Sequence, residues 1–255
     1  MYKDISFDSG AFKAKRITWL CYIDVYAIEA KKIPPMPKLT HLTFPELHFP
    51  PRSAHHLRGY FGRLFQEHSP LLHNHLEGGA LRYAYPLVQY KVLGGLPVLV
   101  GIGEGAQLLI ELFLRIRELD IDGQVYPLNH KDLRCEEVAA GYSERLHTYT
   151  FRTLWMALNQ KNFAEYVQLP PARQEQRLGA LLRNQILAAF KGMGVWLEPE
   201  QRIMTQVQLR QKTTTFKDKQ MLAFEGQFTT NAVLPKWVGI GKAVSRGFGT
   251  VEQVG

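Results

Sequence analysis

The sequence predicts an α+β protein of two successive β-α-β-β-α-β units, the second less regular than the first. Three observations predict this fold. Apolar residues recur at helical spacing after residue 53 and again after residue 104, each time between strand-like segments. Gly94-Gly95 separates two apolar runs, as in a β-hairpin. A long helical pattern and a second hairpin pattern then recur within residues 172–230. This element order is that of the tandem ferredoxin-like, or RRM-like, fold.

The elements of the first unit follow from local patterns. Residues 39–49 alternate like a strand that ends at Pro50-Pro51, and a helix with one apolar stripe begins at Ser53. Residues 83–92 and 96–102 are the two hairpin strands, and residues 104–118 form an amphipathic helix. We expect residues 119–127 to supply the strand that closes the unit.

The second unit has the same kinds of pattern in a longer stretch of chain. Residues 145–156 are strand-like, residues 172–191 predict a long helix, and residues 203–213 and 220–230 alternate as a hairpin. A glycine-rich loop and a short final strand complete residues 234–255. We therefore divide the chain into an N-terminal extension over residues 1–37, in which residues 17–28 predict a strand, and domains over residues 38–135 and 136–255.

Composition excludes several classes of protein. The 255 residues are 45% hydrophobic and 21% charged, which is typical of a globular chain and excludes a disordered or collagen-like one. Cys21 and Cys135 lie outside any CxxC spacing, which favours a reducing compartment and argues against a thiolate zinc site.

The apolar runs are shorter than the roughly 20 residues of a membrane span, and no signal peptide is recognisable. We expect a cytoplasmic protein without a membrane partner.

Positive charge is concentrated near the C-terminus. The formal charge of the chain is +8 at pH 7. In residues 201–250 the only acids are Asp218 and Glu225, whereas the basic residues are Arg202, Arg210, Lys212, Lys217, Lys219, Lys236, Lys242 and Arg246. Such a stretch suits a polyanion such as RNA, because each neutralised phosphate releases counterions. A solvated basic face without a partner is the alternative.

Two glycine clusters are candidates for binding phosphate. Residues 101–106 (GIGEGA) lie between a strand and a helix, like a dinucleotide fingerprint, and this alternative predicts saturable NAD or ATP binding. Two features argue against it: the preceding strand is part of an antiparallel hairpin, and Glu104 would repel a pyrophosphate.

The second cluster, residues 239–249, is the stronger candidate, since glycine lets backbone N–H groups approach phosphates closely. Phe216 and Phe248 are candidates for stacking on bases. The candidate RNA-binding residues are Lys212, Lys217, Lys219, Gly239, Gly241, Lys242, Ser245, Arg246, Gly247 and Gly249.

Histidines are concentrated before the hairpin: seven of the nine lie between residues 41 and 75. His73 and His75 share a face if their segment is extended, and two imidazoles near neutral pKa can act as general base and general acid. RNA cleavage needs this pair, together with a cation that stabilises the phosphorane and a hydrogen-bond donor. The candidates for these two roles are Arg63 or Arg82, and Tyr83 or Tyr60.

These motifs together resemble the RAMP superfamily of CRISPR-associated endoribonucleases that process repeat RNA. The resemblance rests on the loop at residues 239–249, the strand YAYPLVQYK at residues 83–91, the turn at residues 101–106, and His73-x-His75, which suggests the subgroup with two active-site histidines. It covers residues 38–127 and 200–253. The family has two tandem ferredoxin-like domains.

The resemblance implies a function and partners. It implies a metal-independent, cofactor-free endoribonuclease that binds precursor CRISPR RNA, with CRISPR effector-complex proteins as further candidate partners. The catalytic residues would be His73, His75 and Tyr83, with Arg82 or Arg63 replacing the family's lysine, since this chain has no lysine between Lys38 and Lys91. A monomer and a homodimer are both open.

Two alternatives remain at this point. One is a non-catalytic RNA-binding scaffold subunit of the same superfamily. The other is a zinc site, in which His68 or Glu77 would join His73 and His75 as the third ligand.

Overall fold

The computed structural model describes residues 36–64, 85–216 and 219–255. These residues form two four-stranded antiparallel sheets, a small two-stranded sheet and four α-helices. The predicted strand over residues 17–28 lies outside the described residues. None of the described helices combines the length and the apolar composition needed to cross a membrane.

The N-terminal unit is ferredoxin-like, as predicted. Its main sheet has the order β2-β3-β1-β6, and α1 and α2 connect strands of this sheet. The elements are β1 (Lys38–Thr43), α1 (Ala54–Leu64), β2 (Val88–Leu93), β3 (Leu96–Ile102), α2 (Glu104–Leu112), β4 (Glu118–Ile121), β5 (Gln124–Pro127) and β6 (Asp132–Glu137). Short 3-10 helices precede α1 (Pro51–Ser53) and follow α2 (Phe113–Arg115).

The predicted closing strand at residues 119–127 is wrong. This segment is a separate hairpin, β4–β5, which turns at Asp122 and Gly123, both with positive φ (56° and 80°). An Asp-Gly pair favours this tight turn, and the Asp120 carboxylate accepts a hydrogen bond from Gly123 N at 3.0 Å. The fourth strand is instead β6, which pairs with β1. Its polar sequence, DLRCEE, has no apolar alternation, because it is an exposed edge strand.

The C-terminal unit repeats the strand order of the first. Its elements are β7 (Gly141–Phe151), α3 (Gln160–Tyr166), α4 (Pro171–Gly192), β8 (Thr205–Phe216), β9 (Lys219–Val233) and β10 (Val251–Gln253). The sheet order is β10-β7-β9-β8, which places the fourth strand beside the first and the third beside the second, as in the N-terminal unit. Between β9 and β10 runs the glycine-rich loop, with a 3-10 turn at Val244–Arg246. The domain boundary that we predict at residues 135/136 lies within β6.

A shared core joins the two units. Leu99 packs with α1 and α2 on one face of the first sheet, whereas its neighbours Val98 and Val100 pack on the other face with Trp155 and Phe190 of the C-terminal unit. Because both faces of β3 are buried, its sequence is a continuous apolar run. The first sheet is therefore the layer against which the C-terminal unit packs.

Candidate nucleic-acid interface

The edge strand β2 anchors the glycine-rich loop. Its side chains Val88, Tyr90 and Val92 pack on the helix side of the sheet, whereas Gln89 and Lys91 are fully buried on the other face. Gly239 N donates a hydrogen bond to Gln89 Oε1 at 2.9 Å. The hydroxyl of Tyr85, just before β2, donates to the Gly239 carbonyl oxygen at 2.8 Å. Burial raises the pKa of Tyr85, which keeps this phenol protonated as a donor.

Lys91 is a buried cation at the same contact. Its Nζ donates to Thr250 Oγ1 at 3.1 Å, and Thr250 Oγ1 in turn donates to the Gly247 carbonyl oxygen at 3.3 Å. Burial lowers the pKa of Lys91 from 10.5 to about 7, because desolvation penalises the ammonium. Two polar side chains of β2, Gln89 and Lys91, thus fix the beginning and the end of the loop.

The loop glycines are required by close packing. A Cβ at Gly249, whose φ is +64°, would lie 1.9 Å from the Ile240 carbonyl oxygen. A Cβ at Gly241 would lie 2.7 Å from Trp155 Nε1. At Gly247 it would lie 2.9 Å from Ala54 Cβ at the beginning of α1. The loop is therefore folded tightly on itself, on the C-terminal core and on the N-terminal unit.

Several backbone N–H groups of the loop are already paired inside the protein. Gly239 N donates to Gln89, Lys242 N to the Met156 carbonyl oxygen at 3.1 Å, and Gly249 N to the Leu154 carbonyl oxygen at 2.9 Å. Gly247 N also has an internal acceptor, the Val244 carbonyl oxygen at 3.1 Å. A ligand at this loop would therefore meet chiefly its side chains.

The structure brings several of the predicted RNA-binding residues together. The Arg246 guanidinium lies 5.3 Å from the centroid of the Phe216 ring, and that ring makes an edge contact with Phe248 at 5.8 Å. Burial, with a smaller contribution from Arg58, lowers the pKa of Arg246. Lys219 is exposed and lies opposite Phe216 in the β8–β9 register. These residues form one surface from the loop to the tip of the β8–β9 hairpin.

The other predicted RNA-binding residues differ in their exposure and in their partners, and one lies outside the described residues. Lys212 Nζ forms an ion pair with Glu225 Oε1 at 3.2 Å. Lys242 is exposed, and partial burial lowers its pKa. Ser245 is half-buried within the 3-10 turn. Lys217 lies outside the described residues.

Most of the predicted catalytic residues also lie outside the described residues: His73, His75, Arg82 and Tyr83, together with the alternative zinc ligands His68 and Glu77. Arg63 is described, and its exposed side chain lies in the last turn of α1. Tyr60, the alternative hydrogen-bond donor, is engaged: its hydroxyl donates to the Glu118 carbonyl oxygen at 2.7 Å. Within residues 36–64, 85–216 and 219–255, no cluster of three His, Cys, Asp or Glu side chains could hold a metal ion.

Three of the described histidines have partners within the protein. His41 is buried, its Nε2 lies 3.1 Å from the Lys236 carbonyl oxygen, and burial lowers its pKa. His56 Nδ1 pairs with Asp122 Oδ2 at 2.8 Å. His130 is exposed and pairs with Asp132 at 2.9 Å. These three side chains are therefore engaged within the protein.

The other glycine cluster has a different role. The strands β2 and β3 pair antiparallel, as predicted, which excludes a Rossmann crossover here. A Cβ at Gly101 would lie 2.4 Å from the Gly105 carbonyl oxygen, and one at Gly105 would lie 2.2 Å from the Leu87 carbonyl oxygen. Residues 101–106 therefore form a compact strand-to-helix turn packed against the chain that leads into β2.

A cavity of about 790 Å³ lies beside the Arg246–Phe216 contact. Sequence reasoning identified Phe216, Phe248 and Arg246, but it missed Arg52, Arg152 and Glu225, which also line the cavity. These residues belong to segments far apart in the chain, and only the tertiary fold brings them together. The proline break at Pro50-Pro51 marks a turn, but nothing in the sequence shows what that turn faces.

Comparisons with known proteins give matches to both units of the chain. A model of the Cas6b N-terminal domain matches residues 36–139, and a model of the Cas6b C-terminal domain matches residues 141–254. A crystal structure of Cas6b is 30% identical, with a TM-score of 0.80, over 86% of this chain and 99% of that chain. A second structure, of the CRISPR RNA processing endoribonuclease Cas6b, is 27% identical, with a TM-score of 0.69, over the same shares.

An uncharacterized protein of Methanocaldococcus jannaschii is 31% identical over 144 residues, which are 56% of this chain and 97% of that protein.

Proposed function

Because the chain belongs to the Cas6b family of RAMP proteins, we propose that it is an endoribonuclease that cleaves CRISPR repeat RNA into guide RNAs. The observation that carries this proposal is the match of family models to both units, residues 36–139 and 141–254. It is supported by the likeness to a CRISPR RNA processing endoribonuclease at 27% identity and a TM-score of 0.69.

The surface from the glycine-rich loop to the β8–β9 hairpin is suited to the RNA strand. Arg246, Lys242 and Lys219 supply positive charge there, and Phe216 and Phe248 supply aromatic rings. Phosphate neutralisation gives affinity that falls with salt, and the rings give a stacking platform that tolerates different bases. Lys217, which lies between β8 and β9 in the sequence, is included in the same proposed RNA contact.

The proposed chemistry is an in-line transesterification by the RNA itself. One of His73 and His75 takes the proton from the 2′-hydroxyl, whose oxygen attacks the adjacent phosphorus. The bond from phosphorus to the 5′-oxygen breaks, and the other histidine protonates this leaving oxygen. The products are a 2′,3′-cyclic phosphate and a free 5′-hydroxyl. No metal or cofactor takes part in this scheme.

Two further groups complete the proposed site. Arg63 or Arg82 stabilises the additional negative charge of the phosphorane, and Tyr83 donates a hydrogen bond to it. The position of Arg63 supports this role, because an exposed guanidinium in the last turn of α1 is available to a ligand. Tyr85, two residues after Tyr83 in the chain, is tied to the loop through Gly239.

Substitution of the two histidines tests the proposal. His73→Ala and His75→Ala should each lower the single-turnover cleavage rate of repeat RNA by about 10²-fold or more, with RNA affinity retained. His130→Ala is the matched control, since His130 is exposed and pairs only with the neighbouring Asp132 in the described structure, and it should cleave normally. Full activity of both His73→Ala and His75→Ala would overturn the assignment.

Two outcomes of the same assay would support the alternatives. A wild-type chain that binds repeat RNA without cutting it would support the scaffold subunit. Cleavage that stops on adding a chelator and recovers with zinc would support a metal site at His73 and His75.

A further inference from the structure

The cavity beside the glycine-rich loop has a wall contributed by both units. It is lined by the beginning of α1, the β2–β3 turn, the end of β7 with the residues after it, the end of β8, and the loop itself. Its volume of about 790 Å³ lies within the range of small-molecule sites, roughly 300–1,000 Å³. It is therefore large enough for a nucleotide, but too small for a duplex.

The wall combines the surfaces that unpaired bases prefer. The rings of Phe216 and Phe248 meet at an angle of 86°, and the guanidinium of Arg246 lies over the Phe216 ring. Bases stack on aromatic rings and on guanidinium planes, and this stacking favours a flat, unpaired ring over an aliphatic side chain. These three side chains come from two elements, β8 and the loop, and they form one corner of the cavity.

The cavity is lined by both positive and negative side chains, an arrangement that suits one nucleotide. Arg52 is exposed at the rim, and Arg152 pairs with Glu252 at 3.4 Å, so Arg52 is the better phosphate ligand. Glu225 supplies a carboxylate whose described ion pair is with Lys212 at 3.2 Å. A carboxylate repels phosphate but accepts hydrogen bonds from the exocyclic amino groups of cytosine, adenine and guanine. Cations at the rim and a carboxylate in the wall thus match the two ends of a nucleotide.

We propose that this cavity binds one unpaired nucleotide of the RNA, and that the base of this nucleotide carries an exocyclic amino group. The base stacks in the corner formed by Phe216, Phe248 and Arg246, its amino group donates to Glu225, and its phosphate contacts Arg52. The proposal rests on the proposed function, because it takes the repeat RNA as the ligand. It adds a site that selects substrate by a single base and that is formed by residues other than the proposed catalytic histidines.

A coupled scan of RNA and protein tests the proposal. Each position of the repeat RNA outside the scissile dinucleotide is replaced in turn by an abasic nucleotide, and the dissociation constant is measured with the full chain. One position should weaken wild-type binding about tenfold. Phe216→Leu should weaken binding of intact RNA by a similar factor, because leucine keeps apolar bulk without an aromatic face. The abasic RNA should then bind this variant almost as well as intact RNA does, since both changes remove the same stacking interaction.

Control variants separate this effect from loss of fold. Phe216→Trp should retain the affinity of wild type for intact RNA, since it keeps an aromatic face. Phe163→Ala, at an exposed phenylalanine of α3 away from the cavity, should leave the abasic penalty unchanged. Thermal unfolding of each variant reports the fold directly. If Phe216→Leu and Phe163→Ala behave alike at every RNA position, the proposal is overturned.

The amino group is tested at the position found by the scan. Replacing adenine or guanine by inosine, or cytosine by uracil, should weaken wild-type binding several-fold, and Glu225→Gln should reduce that discrimination. Equal discrimination in the two proteins would overturn the assignment of Glu225. Free AMP, CMP and GMP are titrated in parallel. If they bind in a Phe216-dependent way while no RNA position does, the cavity is a mononucleotide site and the proposal is wrong.

These outcomes are distinguishable from failure of the proposed function. A wild-type chain that cleaves repeat RNA but has no Phe216-dependent position contradicts only the cavity. A chain that has such a position but never cleaves contradicts only the endoribonuclease.

Discussion

The two glycine clusters of this chain pack against neighbouring parts of the same strand region. Residues 101–106 pack on the Leu87 carbonyl oxygen, just before β2, and residues 239–249 pack on Gln89 and Lys91 within β2. In both clusters a Cβ would clash with backbone atoms, at Gly105 in the first and at Gly249 in the second. Glycine is needed in both places for close approach of two chain segments.

The clusters differ in the side chains between their glycines. The first has Glu104 and apolar residues and continues directly into α2. The second carries Lys242 and Arg246, lies beside two aromatic rings, and borders the cavity. Glycine content alone therefore indicates tight packing, and the charged and aromatic neighbours distinguish a candidate ligand site from a structural turn.

The largest expected effect is a loss of stability. It tests whether a side chain at the glycine positions is excluded by steric overlap or by backbone strain. Gly249→Ala should destabilise the protein by about 4 kcal/mol, which combines overpacking with left-handed backbone strain. Gly103, in the first cluster, also has a positive φ, +57°, but a Cβ there would have no atom within 4 Å. Gly103→Ala should cost only about 1 kcal/mol. Chemical denaturation measures both, and equal destabilisation would show that backbone strain, not steric overlap, dominates.

The next largest effect is a change in stability on replacing Lys91, whose buried side chain lies beneath the second cluster. Lys91→Met should raise the free energy of unfolding at pH 7 by about 2 kcal/mol, because an apolar side chain of similar length removes a desolvated ammonium. The Thr250 hydroxyl keeps the Gly247 carbonyl oxygen as its acceptor, so it is not orphaned. A destabilised variant would show instead that the Lys91–Thr250 bond outweighs the desolvation.

The same lysine gives stability a pH dependence with a defined sign. Its pKa is about 7 when folded and 10.5 when unfolded, so between these values the unfolded chain binds more protons. The contribution of Lys91 therefore raises stability with pH across this window, by at most about 1.4 kcal/mol per pH unit, and is constant below it. The slope attributable to Lys91 is the wild-type slope minus that of Lys91→Met. A difference of zero would contradict the lowered pKa.

The smallest expected effect is on RNA affinity, when the charged residues of the two clusters are replaced in turn. The double variant Lys242→Ala/Arg246→Ala should weaken RNA binding about tenfold near physiological salt. It should also make the salt dependence shallower, by about one unit of log–log slope for each phosphate that is no longer neutralised. Glu104→Gln, in the first cluster, should leave the affinity within about twofold. A marked gain of RNA affinity in Glu104→Gln would indicate that net charge, not the position of the charge, controls binding.

The sequence predicts an element well when glycine or proline residues mark where it begins and ends. β3 is predicted at its observed bounds, Leu96–Ile102, because glycines flank it on both sides, and α4 lies within one residue of its predicted ends, next to Pro170-Pro171 and Gly192. The failures have physical causes. Residues 119–127 alternate as a strand does, but the Asp122-Gly123 turn divides them, and β6 lacks apolar alternation because solvent covers it.

The sequence does not predict those parts of the candidate site that depend on tertiary contacts. Arg246, Phe216 and Phe248 could be selected as basic and aromatic residues near a glycine-rich loop. That Gln89 and Lys91 are buried beneath this loop, or that Arg52 and Glu225 share a cavity with it, depends on how the two units pack. Such contacts join residues more than 100 positions apart, and no local pattern encodes them.

The most direct test of the proposed function is the fate of a repeat RNA that carries one deoxyribose just 5′ of the scissile phosphate, incubated with the wild-type chain in chelator. We predict that this RNA binds with unchanged affinity and is not cut, whereas the all-ribose RNA yields a 2′,3′-cyclic phosphate and a 5′-hydroxyl. Normal cutting of the deoxy substrate, or 5′-phosphate ends on the products, would contradict attack by the ribose hydroxyl.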